Sequence, residues 1–110
     1  MSQGFLGKAM SSSAGAVNVY TAPASTVEFA TVTIKLANTG PEDAVAKVSI
    51  STSSAPQLMD QIEPNAVIPA MGGSLTLSCE LMGPGESVFV ECDKNTVAIR
   101  VTGLEEPKKT

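Results

Sequence analysis

The strongest potential nucleophiles in this chain are two cysteines, Cys79 and Cys92, and it contains no histidine. Nucleophilic catalysis needs a nucleophile beside a base, and imidazole is the commonest such base and the commonest zinc ligand. Ser and Thr are abundant, but no Ser-x-x-Lys spacing supplies a lysine in its place. A thiol becomes reactive only where its surroundings lower its pKa. Both cysteines fall on the apolar parity of their runs, which predicts inert core thiols. Neither a second cysteine pair nor a calcium-type carboxylate run is present, so no metal site is expected. Glu80, Glu86 and Glu91 lie near one predicted hairpin; they could pair for acid–base work, but a solvated acidic face is the simpler reading. Gly72-Gly73 and Gly83-Pro84-Gly85 are short turns, and neither opens a helix that could hold phosphate. The residues therefore predict a non-enzyme with no cofactor.

Composition agrees with a binding role. The 110 residues suit one domain, with 43% hydrophobic residues, mostly Val, Ala, Leu and Ile. Thr and Ser supply most polar positions, a mixture that fits pleated, half-buried surfaces. Seven basic against eleven acidic residues give a net charge of -4, which argues against phosphate-driven binding of nucleic acid. No run is long enough to suggest a membrane helix. Residues 1–8 lack the charged-then-apolar pattern of a signal peptide, which predicts use without secretion. In that setting the two cysteines are expected as free thiols. If Leu81 paired with Val88 across a hairpin, the cysteines would be diagonal neighbours about 7–8 Å apart, too far for a comfortable bridge.

The elements that would carry any site read as strands. Ala16–Thr21 places Val17 and Val19 on one face. Thr26–Ala37 is the longest run, with a change of phase near Ala30-Thr31 that implies a bulge. Asn38-Thr39-Gly40-Pro41 is a turn signal. Ala44–Ser51 alternates cleanly, residues 52–60 form a Ser-rich loop, and Ile62–Ile68 contains Pro64, the mark of an edge strand. Ser74–Leu81 alternates with Leu75, Leu77, Cys79 and Leu81 inward. Val88, Val90 and Cys92 line the next run, and Asp93-Lys94-Asn95 turns the chain onto Val97, Ile99 and Val101. Turns at this spacing predict an all-β fold: an antiparallel β-sandwich, jelly-roll or Ig-like, of about seven strands. Residues 1–15 read as an extended N-terminal arm, 16–104 as the sandwich, and 105–110 as a charged tail.

Three features point to partners. Phe5, Leu6 and Met10 stand in the Gly- and Ser-rich arm, which is either a loose tail or a segment that anchors on a neighbour. All five methionines fall in the arm or in loops; Met59, Met71 and Met82 either cap the sandwich or face a partner. The outer parities are light in charge, and Phe89 between inward Val88 and Val90 is the clearest exposed apolar candidate. Its alternative is a minor core on the outer face. Self-association as a trimer or dimer is expected on this ground.

Gly4-Phe5-Leu6-Gly7-Lys8-Ala9, then Val19-Tyr20-Thr21-Ala22-Pro23-Ala24, then Ala30-Thr31-Val32-Thr33-Ile34 leading to Asn38-Thr39-Gly40, together with Gly83-Pro84-Gly85-Glu86 and the run from Val97 to Glu106, resemble a class of small virion proteins of tailed bacteriophages, common in marine and cyanobacterial phages. The resemblance spans nearly the whole chain and rests on strand-and-turn patterns. It implies a β-sandwich virion component with no catalytic residues to carry over. Such proteins decorate or cement the capsid shell, or sit in the tail and its fibres. The expected function is therefore a decoration or cement protein bound to the major capsid protein, made in the host cytoplasm and placed on the capsid surface. A tail or fibre attachment protein is the second expectation. A carbohydrate- or surface-binding module is the third, disfavoured by the absence of Trp and the single Tyr, Tyr20.

Overall fold

Val, Ile and Thr at alternate positions favour extended backbone and send successive side chains to opposite faces. In the computed structural model, which describes residues 3–52 and 60–108, eight strands follow from this pattern: β1 (Gln3–Met10), β2 (Val17–Thr21), β3 (Val27–Asn38), β4 (Ala44–Ser51), β5 (Gln61–Ile68), β6 (Ser74–Met82), β7 (Ser87–Cys92) and β8 (Val97–Pro107). They form two antiparallel four-stranded sheets, ordered β1-β8-β3-β6 and β2-β7-β4-β5. First pairs with last, second with seventh, third with sixth and fourth with fifth. That nesting is a jelly roll, two Greek keys folded into a sandwich.

The fold class is thus the expected all-β sandwich, with eight strands among the described residues where about seven were expected. Part of the predicted arm accounts for the difference. From Gln3 to Met10 it is β1, an edge strand of the first sheet, hydrogen-bonded to β8. The local turn signals also mislead about pairing. The turn at Gly83-Pro84-Gly85 joins β6 in the first sheet to β7 in the second, so Leu81 does not pair with Val88. The Asp93–Asn95 turn likewise crosses between sheets. Among the described strands only β4 and β5 are consecutive and lie in one sheet.

The core lies between the sheets. Ala30, Val32, Ile34 and Leu36 of β3 meet Ala44, Ala46, Val48 and Ile50 of β4, Val88, Val90 and Cys92 of β7, and Val97, Ile99 and Val101 of β8. Burial of each Val, Ile or Leu side chain among them contributes about 1.5–3 kcal/mol before ordering costs. The sheets approach closely where β1 passes β2: a side chain at Gly7 would put its Cβ 2.4 Å from the Val19 carbonyl oxygen.

Asn38 closes one end of the sandwich. It is fully buried, and its amide donates to the carbonyls of Glu42 (2.7 Å) and Ile68 (3.1 Å). Its Oδ1 accepts from the Gly40 N–H and the Thr96 hydroxyl, both at 3.0 Å. One side chain thereby fastens the β3–β4, β5–β6 and β7–β8 connections, with every polar atom satisfied. Ser11 does the same for the β1–β2 connection, donating to the Lys94 carbonyl and accepting from the Val97 N–H.

Candidate functional site

Outward positions of the first sheet fall into rows that cross strands far apart in sequence. Lys8 of β1 is opposite Arg100 of β8, Arg100 is opposite Lys35 of β3, and Lys35 is opposite Thr76 of β6. All four side chains are exposed. Facing residues on adjacent antiparallel strands are about 4.5–5.5 Å apart at Cα, so three cations stand along roughly 10 Å. Like charges placed directly opposite destabilise a sheet. Among the described residues the ion pair is Lys94–Asp93 at 3.8 Å, and no carboxylate pairs with Lys8, Lys35 or Arg100.

On one side of this row lies Met10–Ala98–Ala37–Ser74, and on the other Phe5–Thr102–Thr33, followed by Leu104–Thr31–Leu81. None of these side chains is acidic. Alanine side chains give the surface little height, so Ala98 leaves a groove of about 590 Å³ between Met10 and the Lys8–Arg100–Lys35 row. Phe5 is 53% exposed and Met10 51%. The Phe5 ring lies beneath the Arg100 guanidinium, 5.2 Å from centroid to Cζ, a cation–π contact that steadies the central cation.

A bulge places Leu81 on this face. Val32 is opposite Glu80 and Ile34 opposite Leu77, so two β6 residues, Ser78 and Cys79, face one β3 residue. Cys79 takes φ +59°, and the extra residue reverses the parity of the strand beyond it. Leu75 and Leu77 pack on the core before the bulge, and Met82 is buried after it. Cys79 and Leu81, expected inward, are exposed, Leu81 at 66%. Glu80, expected outward, is half-buried on the core parity. Cys92 is buried, and both thiols are free.

The remaining expected partner-binding residues divide. Leu6 is half-buried and packs against the core, because the β1 bulge between Phe5 and Gly7 turns it inward. Met82 is core, which removes it from any surface. Met71 is 83% exposed at the β5–β6 turn, with φ +59°. Met59 lies outside the described residues. Phe89, expected exposed, is only 8% exposed. It sits on the outer parity of β7 between Asn18 and Ser49, in a patch where Ser49, Ser51 and Ser87 are also buried. That is the minor outer core, so Phe89 cannot serve as an open contact in this fold.

Tyr20 is in the core with its hydroxyl bound to Glu105, so the one tyrosine offers no ring to a surface ligand. Among the described residues there is no cluster of three or more metal-ligating side chains, and no helix long and apolar enough to cross a membrane. No protein-family model, curated protein or solved structure matches the chain. The Lys8–Arg100–Lys35 row needed the β1–β8–β3 pairing to be found. Lys35 and Arg100 read as outward from alternation alone, but nothing local joins them to Lys8.

Proposed function

We propose that this chain is a structural component of a bacteriophage virion, a decoration or cement protein that attaches to the major capsid protein shell by the outer face of its first sheet. The observation that carries the reading is that face: four strands wide, free of acidic side chains through its central rows, with Phe5, Met10 and Leu81 exposed around three cations. Aromatic, Met and Arg side chains are the types enriched at protein interfaces. The jelly roll gives the face a rigid backing, and the motifs resembling phage virion proteins supply the setting.

Attachment of this kind gains strength from numbers. Many copies on a repeating shell convert weak contacts into a strong brace. If the chain also forms a trimer or dimer, that contact uses another surface, because two-fold pairing of this face would set the cation rows against each other.

The test is the location and stoichiometry of the protein in purified particles of the phage that encodes it. Many copies spread over the head are expected. A few copies at one vertex would favour tail or fibre attachment, and absence from particles would remove both.

A further inference from the structure

We infer that the Lys8–Arg100–Lys35 row is the recognition element of this face, and that its occupant is a carboxylate-bearing surface of a protein partner. This deepens, and rests on, the proposal that the first sheet is the docking face.

Three observations carry it. The first is charge. The row gathers three of the seven basic residues, while the rest of the chain holds four basic against eleven acidic residues. The chain is acidic, yet the central rows of this face are basic and hold no carboxylate to neutralise them. The complementary surface is therefore anionic.

The second is register. Lys8, Arg100 and Lys35 occupy directly facing positions on three adjacent strands. Cross-strand repulsion makes this the least favourable arrangement for the free domain. An anion lying across the row removes that repulsion, so the partner's binding and the domain's stability are linked in sign. The Phe5–Arg100 contact holds the middle guanidinium in place before binding. A fixed guanidinium fork suits a carboxylate, which it can bind through two parallel hydrogen bonds.

The third is what surrounds the cations. Met10, Phe5 and Leu81 are exposed apolar side chains, and Ala98, Ala37, Thr33 and Thr102 are small. A surface that follows a nucleic-acid or sulfated polysaccharide backbone needs cations continued along a track. Here they stop after three, and the acidic remainder of the chain repels a long polyanion. A protein surface with two or three carboxylates among apolar residues matches both the short row and its rim.

The experiment is a nitrogen-15 NMR titration of the full chain at low salt with a capped pentapeptide alternating Glu and Thr. Parallel titrations use the Lys/Thr counterpart, a short oligothymidylate and a heparin-derived oligosaccharide. Perturbation of the amides of Phe5, Lys8, Lys35, Thr76 and Arg100 by the Glu peptide is expected, absent with the Lys peptide. Arg100→Glu or Lys35→Glu is expected to weaken binding by about tenfold or more, while Lys47→Glu on the second sheet leaves it unchanged. Absence of binding, perturbation spread equally over Lys47, Lys94 and Lys108, or tighter binding of either polyanion would overturn the inference. The same variants on undecorated shells separate it from the proposed function. Unchanged shell binding by Arg100→Glu would sink this inference and leave the virion role standing. Failure of the native protein to bind shells, with the peptide still seated on the row, would do the reverse.

Discussion

Tyr20 on β2 donates its phenolic hydrogen to the carboxylate of Glu105 on β8, tying the two sheets together through the interior. Burial pushes the Tyr20 phenol well above its ordinary range, and the hydrogen bond and negative charge of Glu105 push it further. Folding therefore favours the protonated phenol. Its contribution is fully present below the unfolded value of about 10 and is lost as pH rises beyond it. Because the chain has one tyrosine, absorbance at the tyrosinate band reads this group alone. The native protein is expected to resist ionisation where the urea-unfolded chain ionises. Coincident titrations in the two states would show that the contact does not form. Tyr20→Phe removes one hydrogen bond to the Glu105 carboxylate and should cost about 1.5–3 kcal/mol in denaturant unfolding.

Relieving the cation row should stabilise the free domain. Lys35→Glu places an anion opposite Arg100, and a gain of about 0.2–1 kcal/mol is expected at low salt, shrinking as salt is added. Thermal unfolding of the two proteins across a salt series measures it. A destabilised variant would mean that the row is not strained in solution.

The two thiols should react at different rates. Cys79 is exposed on β6 and Cys92 is buried in β7. A thiol-specific chromogenic reagent should titrate one group quickly in the native protein and the second only on unfolding. Two fast groups would contradict the buried position of Cys92. Because Cys79 holds a positive φ, Cys79→Val should destabilise more than Cys79→Gly, by about 1–2 kcal/mol.

Asn38→Ala should be among the most damaging polar substitutions, since it strands the Ile68 and Glu42 carbonyls, the Gly40 N–H and the Thr96 hydroxyl together. A loss of about 3 kcal/mol is expected from denaturant curves. A loss below half of that would mean that water replaces the side chain.

Phe89→Lys tests the minor outer core. Burying an ammonium there should cost at least about 2 kcal/mol and lower the melting temperature of the domain. A variant with native stability would show that the ring is in fact free at the surface.

Alternation along single strands was readable in the sequence wherever a strand is regular. Ala44, Ala46, Val48 and Ile50, and Val97, Ile99 and Val101, are inward as their spacing requires. Alternation failed beyond residue 78, because one inserted residue reverses parity and nothing in Ser78-Cys79 resembles the glycine that commonly marks such a bulge. Partner choice was unreadable for a different reason. A Gly-Pro-Gly turn looks the same whether it closes a hairpin or carries the chain to the opposite sheet. Parity assigns Phe89 to the outer face but does not report what covers it there. The basic row depends on pairings between residues 8, 35 and 100, which only the folded topology brings into line.

The pairing of β1 with β8 also sets a timetable. Translation is vectorial, and β8 begins 87 residues after Met10. At about 5–20 residues per second the ribosome emits β1 several seconds before β8, its hydrogen-bonded neighbour among the described strands, exists. Through that interval Leu6 and Ala9 have no completed interior to enter, and β1 is a nascent segment whose docking must wait for β8. A ribosome stalled before Val97 would therefore hold a chain with its first strand open to protease, and release of β8 would be the moment that strand closes.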